Sequence, residues 1–276
     1  MRAQATRDAA GLWVRARHDV TRRFAGAYRS AFRGQGLVFE ELRDYMAGDD
    51  AQWIEWKATA RLARPILKQM REEREGCVAL LVDVSNSGIP GASGRSRRPA
   101  ILRAASALAV AAARVGDPIA VARFGDARMA TWAPGQGPGH LSRVFAAFGA
   151  FEGGAASDLA PPLLWATDRL PQHSIVIVLS DGYCPDPGPV VARCARKHEL
   201  IVLWVDDPID ARSPRSAPAR VFGAEGGSPG LWRAGQAPAR LPLEVLRRRG
   251  ADTGVLHTET VIPDLRRFFR RRAGLA

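Results

Sequence analysis

Cysteine is scarce in this chain. Cys77, Cys184 and Cys194 are odd in number and form no C-x-x-C pair, which argues against a disulfide framework and a zinc knuckle alike. The five histidines offer no zinc spacing either, since His198-Glu199 opens an H-E-x-x-H that Val202 breaks. Lysine is scarcer still relative to arginine: Lys57, Lys68 and Lys197 stand against 37 Arg. A phosphate-binding Walker loop needs Gly directly before its Lys, and here Trp56, Leu67 and Arg196 occupy that position. The chain is therefore not itself a P-loop ATPase. Long apolar runs are missing as well. The longest, Ala104 to Ala113 with Ser106 inside it, reaches about half of the roughly 18 residues that cross a bilayer. The first residues, MRAQATRDAAGLWVRARHD, are too charged for the apolar middle of a signal peptide, so a cytoplasmic location is expected.

What is present is a globular composition, 46% hydrophobic and 25% charged over 276 residues, enough for one large or two modest domains. The net charge of +12 sits at the ends: residues 1–35 carry 8 Arg and 2 acids, residues 207–276 carry 13 Arg and 7 acids, and the middle balances. Basic flanks without interleaved stacking aromatics read as solvated surface rather than as a nucleic-acid face.

From Cys77 onward, short apolar runs alternate with helical stretches, the pattern of a parallel sheet covered on both faces. The strands expected are CVALLVD (77–83), PIAVARF (118–124), SIVIVLSD (174–181), LIVLWVD (200–206) and GVLHT (254–258). Helices are expected over 98–116, 140–148, 157–170, 189–199 and 260–272, giving a doubly wound α/β fold. Residues 211–240 read as a long irregular loop, and Gly135, Gly137 and Gly139 as a turn-rich one. Residues 1–29 read as an Arg-rich helical stretch, 30–76 as a segment packing on the core and 77–276 as the α/β domain. Within 30–76, RPILKQM is β-like, and Trp53 and Trp56 are expected to bury.

In an open α/β sheet the functional crevice lies beyond the carboxyl ends of the strands, where strand order reverses. Two expected strands end in oxygen-rich loops. LLVDVSNSG sets Asp83, Ser85 and Ser87 at alternate positions, and VLSDG sets Asp181 at the end of another strand. Ser157 opens a helix after EGGAAS. Two carboxylates and three hydroxyls are hard donors suited to Mg²⁺ or Mn²⁺. Read alone, D-x-S-x-S is a strand-ending turn satisfying its own backbone, and Ser157 a helix N-cap. Asp158 is read as a first-turn charge favoured by the helix dipole.

At these residues the chain resembles von Willebrand factor type A domains. Asp83, Ser85 and Ser87 match the D-x-S-x-S of their metal-ion-dependent adhesion site, Ser157 stands where Thr is usual, and Asp181 matches the Asp after the fourth strand. The stretch RGQGLVFEELRDYMAGDDAQWIEWKATAR resembles the signature of a large prokaryotic family of unknown function with such a domain, often encoded beside MoxR-type AAA+ ATPases. Its motifs fall on Gly34, Gly36 and Phe39, on Arg43 and Tyr45, on Gly48, Asp49 and Asp50, on Ile54 and Trp56, and on Ala60 and Arg61. Gln52, Gly88 and Ser157 depart from the residues common there, Arg, Met and Thr; Ser keeps the ligating oxygen.

The resemblance implies a non-enzymatic, metal-dependent interaction module. Mg²⁺ or Mn²⁺ would be its cofactor, a partner's acidic residue its ligand, and a MoxR-type ATPase with a client protein its partners. The alternatives are a Mg²⁺-dependent phosphoryl-transfer hydrolase using Asp83, or nucleic-acid binding through the Arg-rich flanks. Against the hydrolase, Ser85 stands where haloacid-dehalogenase-like enzymes need a second Asp, and Gly91-Ala92-Ser93-Gly94-Arg95 misses the nucleophile elbow at its last position. Asp49 and Asp50, close in sequence to Arg43, Lys57 and Arg61, are expected to form a structural ion-pair network.

Overall fold

The computed structural model describes residues 11–12, 14–20, 22–31, 37–46, 49–72, 76–85, 97–125, 128–149, 157–207, 219–221, 230–232 and 240–274. The chain divides into two compact units, one of Met1–Ala31 with Gly76–Ala276 and one of Phe32–Glu75. In chain order the elements begin with helix α1 (Arg22–Ala31), strand β1 (Leu37–Asp44), helix α2 (Trp56–Leu62) and strand β2 (Ile66–Glu72). They continue with β3 (Val78–Asp83), α3 (Arg98–Val115), β4 (Ile119–Phe124), β5 (Ala130–Gly135), α4 (Gly137–Gly149), α5 (Ala160–Arg169) and β6 (Ile175–Ser180). Then come α6 (Val190–Lys197), β7 (Glu199–Asp206), β8 (Ala219–Val221), β9 (Gly230–Trp232), α7 (Leu243–Arg248), β10 (Asp252–His257) and α8 (Val261–Arg272).

The larger unit is built on a six-stranded sheet in the order β10-β7-β6-β3-β4-β5, parallel except for the antiparallel β4–β5 pair. The fold is thus α/β with a mostly parallel sheet, as the alternating pattern implied. Every residue of β3 and β4 is buried, which is why these strands read as unbroken apolar runs rather than alternating ones. On one face Ala79, Leu81, Ala122, Val178, Val202 and Trp204 pack with Leu163 and Ala166 of α5, Val191 and Cys194 of α6 and Leu246 of α7. Toward the other face lies α3, Ala-rich and buried along most of its length, so that helix and sheet approach closely.

In the larger unit four expectations change. The basic N-terminal stretch is not only solvated surface: Phe24 and Tyr28 are fully buried, both edge-on to Phe269 of α8 at 6.3 and 5.8 Å, and the Tyr28 hydroxyl donates to Asp117 at 3.1 Å. The strand β5 was hidden because its residues, ATWAPG, are half-exposed at a sheet edge and include Pro134. Gly137 and Gly139 open helix α4 instead of lying in a loop. The stretch read as irregular holds the short antiparallel pair β8–β9.

The smaller unit is an antiparallel β1–β2 ribbon with α2 between its strands in sequence. Only β2 was legible there, as RPILKQM. Arg43 makes two hydrogen bonds to Asp49, at 2.7 and 2.8 Å, and the Met46 amide donates to the same carboxylate at 2.8 Å. These bonds hold the Asp49 carboxyl at about 2, with Arg43 the largest cause. The bidentate clamp falls to Arg43 and Asp49, whereas Lys57 contributes its backbone amide to the Glu55 carboxylate that caps α2 and Lys68 pairs with Glu55. Trp56, expected inside, is 70% exposed, because α2 buries none of its residues. Gly34, Gly36 and Gly48 lie outside the described residues.

Candidate metal centre

The sheet order reverses between β3 and β6: the strands following β3 in sequence go to one side, and β6, β7 and β10 go to the other. Asp83 is the last residue of β3 and Asp181 follows the last residue of β6, so both stand at the carboxyl edge on the two strands that flank the reversal. This is where an open α/β sheet leaves a crevice between diverging loops.

Asp83 is 1% exposed and Asp181 3%. Oδ1 of Asp83 accepts the Ser85 amide at 2.9 Å, and Oδ2 accepts the hydroxyls of Ser157 at 2.7 Å and Ser180 at 2.6 Å. Burial pushes the Asp83 carboxyl above its ordinary range, the Asp181 charge pushes the same way, and the hydrogen bonds from Ser180, Ser85 and Ser157 oppose both. The field extends to the buried Cys184, whose thiol is pushed up to about 12 first by burial and then by Asp83, Asp181, Asp158 and Asp186. Among the described residues, Asp83 and Asp181 form no ion pair with a lysine, arginine or histidine.

The structure therefore brings Asp83, Ser85 and Ser157 into one hydrogen-bonded cluster, with Asp181 close enough to act on Asp83 through its charge. Ser87 lies outside the described residues. Ser180 is the participant that sequence reasoning passed over. Its hydroxyl donates to Asp83 and accepts the Gly182 amide at 3.0 Å, so it props the Asp83 carboxylate against the turn after β6. The signal was in VLSDG: a Ser closing an otherwise apolar buried strand beside a strand that ends in Asp. Gly125 was also missed. Its φ is +76°, and a Cβ there would lie 2.6 Å from Asp83 Oδ1 and from Ser85, so the turn after β4 needs glycine to let the loop after β3 close.

The Asp181 side is equally constrained. Gly182 has φ +80° with the Trp204 ring where a Cβ would stand. Its carbonyl accepts the Leu241 amide at 2.9 Å, and Trp204 Nε1 donates to the Leu241 carbonyl at 3.1 Å. The Tyr183 amide donates to Asp181 Oδ1 at 3.1 Å. The carboxylate oxygens of Asp83 and Asp181 and the hydroxyls of Ser85 and Ser157 are hard donors, the type that a divalent cation such as Mg²⁺ or Mn²⁺ takes. The Ser157 hydroxyl spends its proton on Asp83 and keeps its lone pairs.

A family model described as "Protein of unknown function DUF58" matches residues 41–240. The chain belongs to this family. The DUF58 match takes in Asp83, Ser85, Ser157 and Asp181 but ends before β10 and α8. Among curated proteins, the chain is 26% identical over 210 residues to the uncharacterized proteins Rv1480 of Mycobacterium tuberculosis and Mb1516 of Mycobacterium bovis. The match takes in 73% of this chain and 65% of each relative's length. Among solved structures it is similar to a von Willebrand factor type A protein from Catenulispora acidiphila, with TM-score 0.48, 14% identity, and coverage of 76% of this chain and 44% of that one. No described helix is long and apolar enough to cross a membrane.

Proposed function

We propose that this DUF58 chain is a non-enzymatic protein-interaction module whose binding depends on a divalent cation. Asp83, Ser85, Ser87, Ser157 and Asp181 would hold Mg²⁺ or Mn²⁺, and the cation would offer an electrophilic position to an Asp or Glu carboxylate of a partner. The observation that carries this reading is the pair of carboxylates, each almost fully buried, on the two strands flanking the sheet's reversal. Two buried like charges are costly unless a cation compensates them. Hydroxyl donors reduce that cost for Asp83 but do not neutralise it. Asp83 is also poorly suited to nucleophilic attack, since Oδ2 already accepts two hydroxyls and Oδ1 an amide.

The partner class follows from the resemblance at the upstream signature: a MoxR-type AAA+ ATPase and its client. The test has two arms. Calorimetric titration with Mn²⁺ should show one site in the wild type and none in Asp83→Ala; unchanged affinity in the variant sinks the site. With a MoxR-type ATPase co-expressed and captured through this chain, EDTA should release it. A complex that survives excess chelator removes the cation from the mechanism.

A further inference from the structure

Resting on that metal reading, we infer that Tyr183 is a positioning residue for Asp181, held by a stack of two arginines that ties together three of the loops at the carboxyl edge of the sheet. The Arg97 guanidinium lies 5.4 Å from the centre of the Tyr183 ring and that of Arg240 lies 5.9 Å from it. Arg97 is 2% exposed and stands directly before α3, at the end of the connection that begins with Asp83 and Ser85. Arg240 pairs with Asp206 at the end of β7 and precedes Leu241, whose amide holds the Gly182 carbonyl. Tyr183 itself belongs to the loop after β6. Its ring is thus the point at which the connection after β3, the turn after β6 and the segment before α7 converge.

The consequence runs through the backbone. Asp181 Oδ1 accepts the Tyr183 amide, so the direction of that N–H is set by the peptide between Gly182 and Tyr183. Gly182 sits at φ +80°, where glycine has little intrinsic preference for one arrangement over another. Something outside the turn must fix it. The Ser180 hydroxyl and the Leu241 amide fix the Gly182 end. The guanidinium stack fixes the Tyr183 end through the ring. With the ring loose, the amide can turn away and Asp181 loses the donor that orients its carboxylate. A cation site assembled from two strands is then no longer preformed, and binding must also order the turn.

Charge and position make opposite forecasts for the arginines. If they mattered through their field, removing one would relieve repulsion of the incoming cation and tighten Mn²⁺ binding. Arg240 is already paired with Asp206, so its net field is small, and the positioning effect should dominate.

The experiment measures Mn²⁺ affinity by electron paramagnetic resonance and, separately, the melting temperature of the metal-free protein. Tyr183→Phe keeps the ring and should bind within about twofold of wild type. Tyr183→Leu removes the ring and should bind about tenfold or more weakly, with a metal-free melting temperature close to the wild type's. Tyr183→Leu binding as wild type, or Tyr183→Phe binding as weakly as Tyr183→Leu, overturns the inference. If Tyr183→Leu does not fold, Arg240→Met decides: several-fold weaker binding supports the stack, and unchanged or tighter binding overturns it. A wild type that shows no Mn²⁺ binding at all defeats the metal reading itself and this inference with it, whereas loss confined to the variants bears on Tyr183 alone.

Discussion

At Asp83 two effects of a substitution compete, and the hydrogen bonds decide between them. Removing a charge from a buried pair relieves desolvation and the repulsion from Asp181. Removing the acceptor strands the Ser85 amide and the hydroxyls of Ser157 and Ser180, and each buried unpaired group costs about 1–3 kcal/mol. Asp83→Asn removes the charge yet keeps one acceptor, so the metal-free Asn variant should melt at or above the wild type and Asp83→Ala below it. Differential scanning calorimetry in chelator orders the three proteins, and an Ala variant more stable than the Asn variant would refute the account. His198 gives a second forecast. It is 5% exposed, and burial holds its pKa below the usual value, with a hydrogen bond to the Ala166 backbone opposing that shift. A depressed histidine pKa means that the unfolded chain takes up the proton first, so His198 costs nothing well above pH 6.5 and subtracts stability as pH falls below it. His198→Leu should therefore gain melting temperature relative to wild type at pH 5.5 and gain less at pH 8. A constant difference between the two pH values would mean that packing, not the proton, is responsible.

At the scale of elements, α1 shows how an arginine-rich segment can also be core. Arg29 is exposed while Phe24 is buried together with Ala27 and Tyr28, three and four residues further on, as one helical face requires, and the Phe24 and Tyr28 rings pack edge-on to Phe269 of α8. Arg103 holds Asp19 through two hydrogen bonds of 2.7 and 2.8 Å, and Arg114 donates to the Val20 carbonyl, so α3 grips the approach to α1. Counting charge by segment hid this, because net charge carries no information about which face is apolar. Phe24→Ala should cost about 3–5 kcal/mol, the range for emptying a fully buried phenylalanine site. Tyr28→Phe removes one hydrogen bond to Asp117 and should cost about 1 kcal/mol. Urea unfolding measures both. A fragment beginning at residue 77 lacks α1 and should unfold at lower urea than the whole chain, since Phe269 would lose both aromatic neighbours from that helix.

At the scale of the whole molecule, the parallel strands and the two carboxylates were legible because burial on both sheet faces leaves an unbroken apolar run that ends where the oxygen-bearing loop begins. The strand order, Ser180 and the antiparallel β5 were not, because pairing partners and edge positions are tertiary facts that no local run of residues records. The division of the chain into two compact units leads to a further forecast. Arg43 and Asp49 tie the smaller unit internally, joining β1 to the turn that follows it. The Asp49 carboxyl is held at about 2, so the stability it lends is present above the ordinary carboxylate value of 3.8 and disappears as pH falls toward 2. The pair is partly exposed, and solvent screening discounts its worth at neutral pH. Even so, the Met46 amide depends on the same carboxylate. Asp49→Asn should therefore speed hydrogen exchange at Met46 and its neighbours at pH 7. It should leave Mn²⁺ affinity unchanged, because Asp83, Ser85, Ser157 and Asp181 all belong to the other unit. Loss of Mn²⁺ affinity with normal exchange at Met46 would be the contrary result. It would mean that Asp49 serves the cation site and that the two units cannot be treated separately.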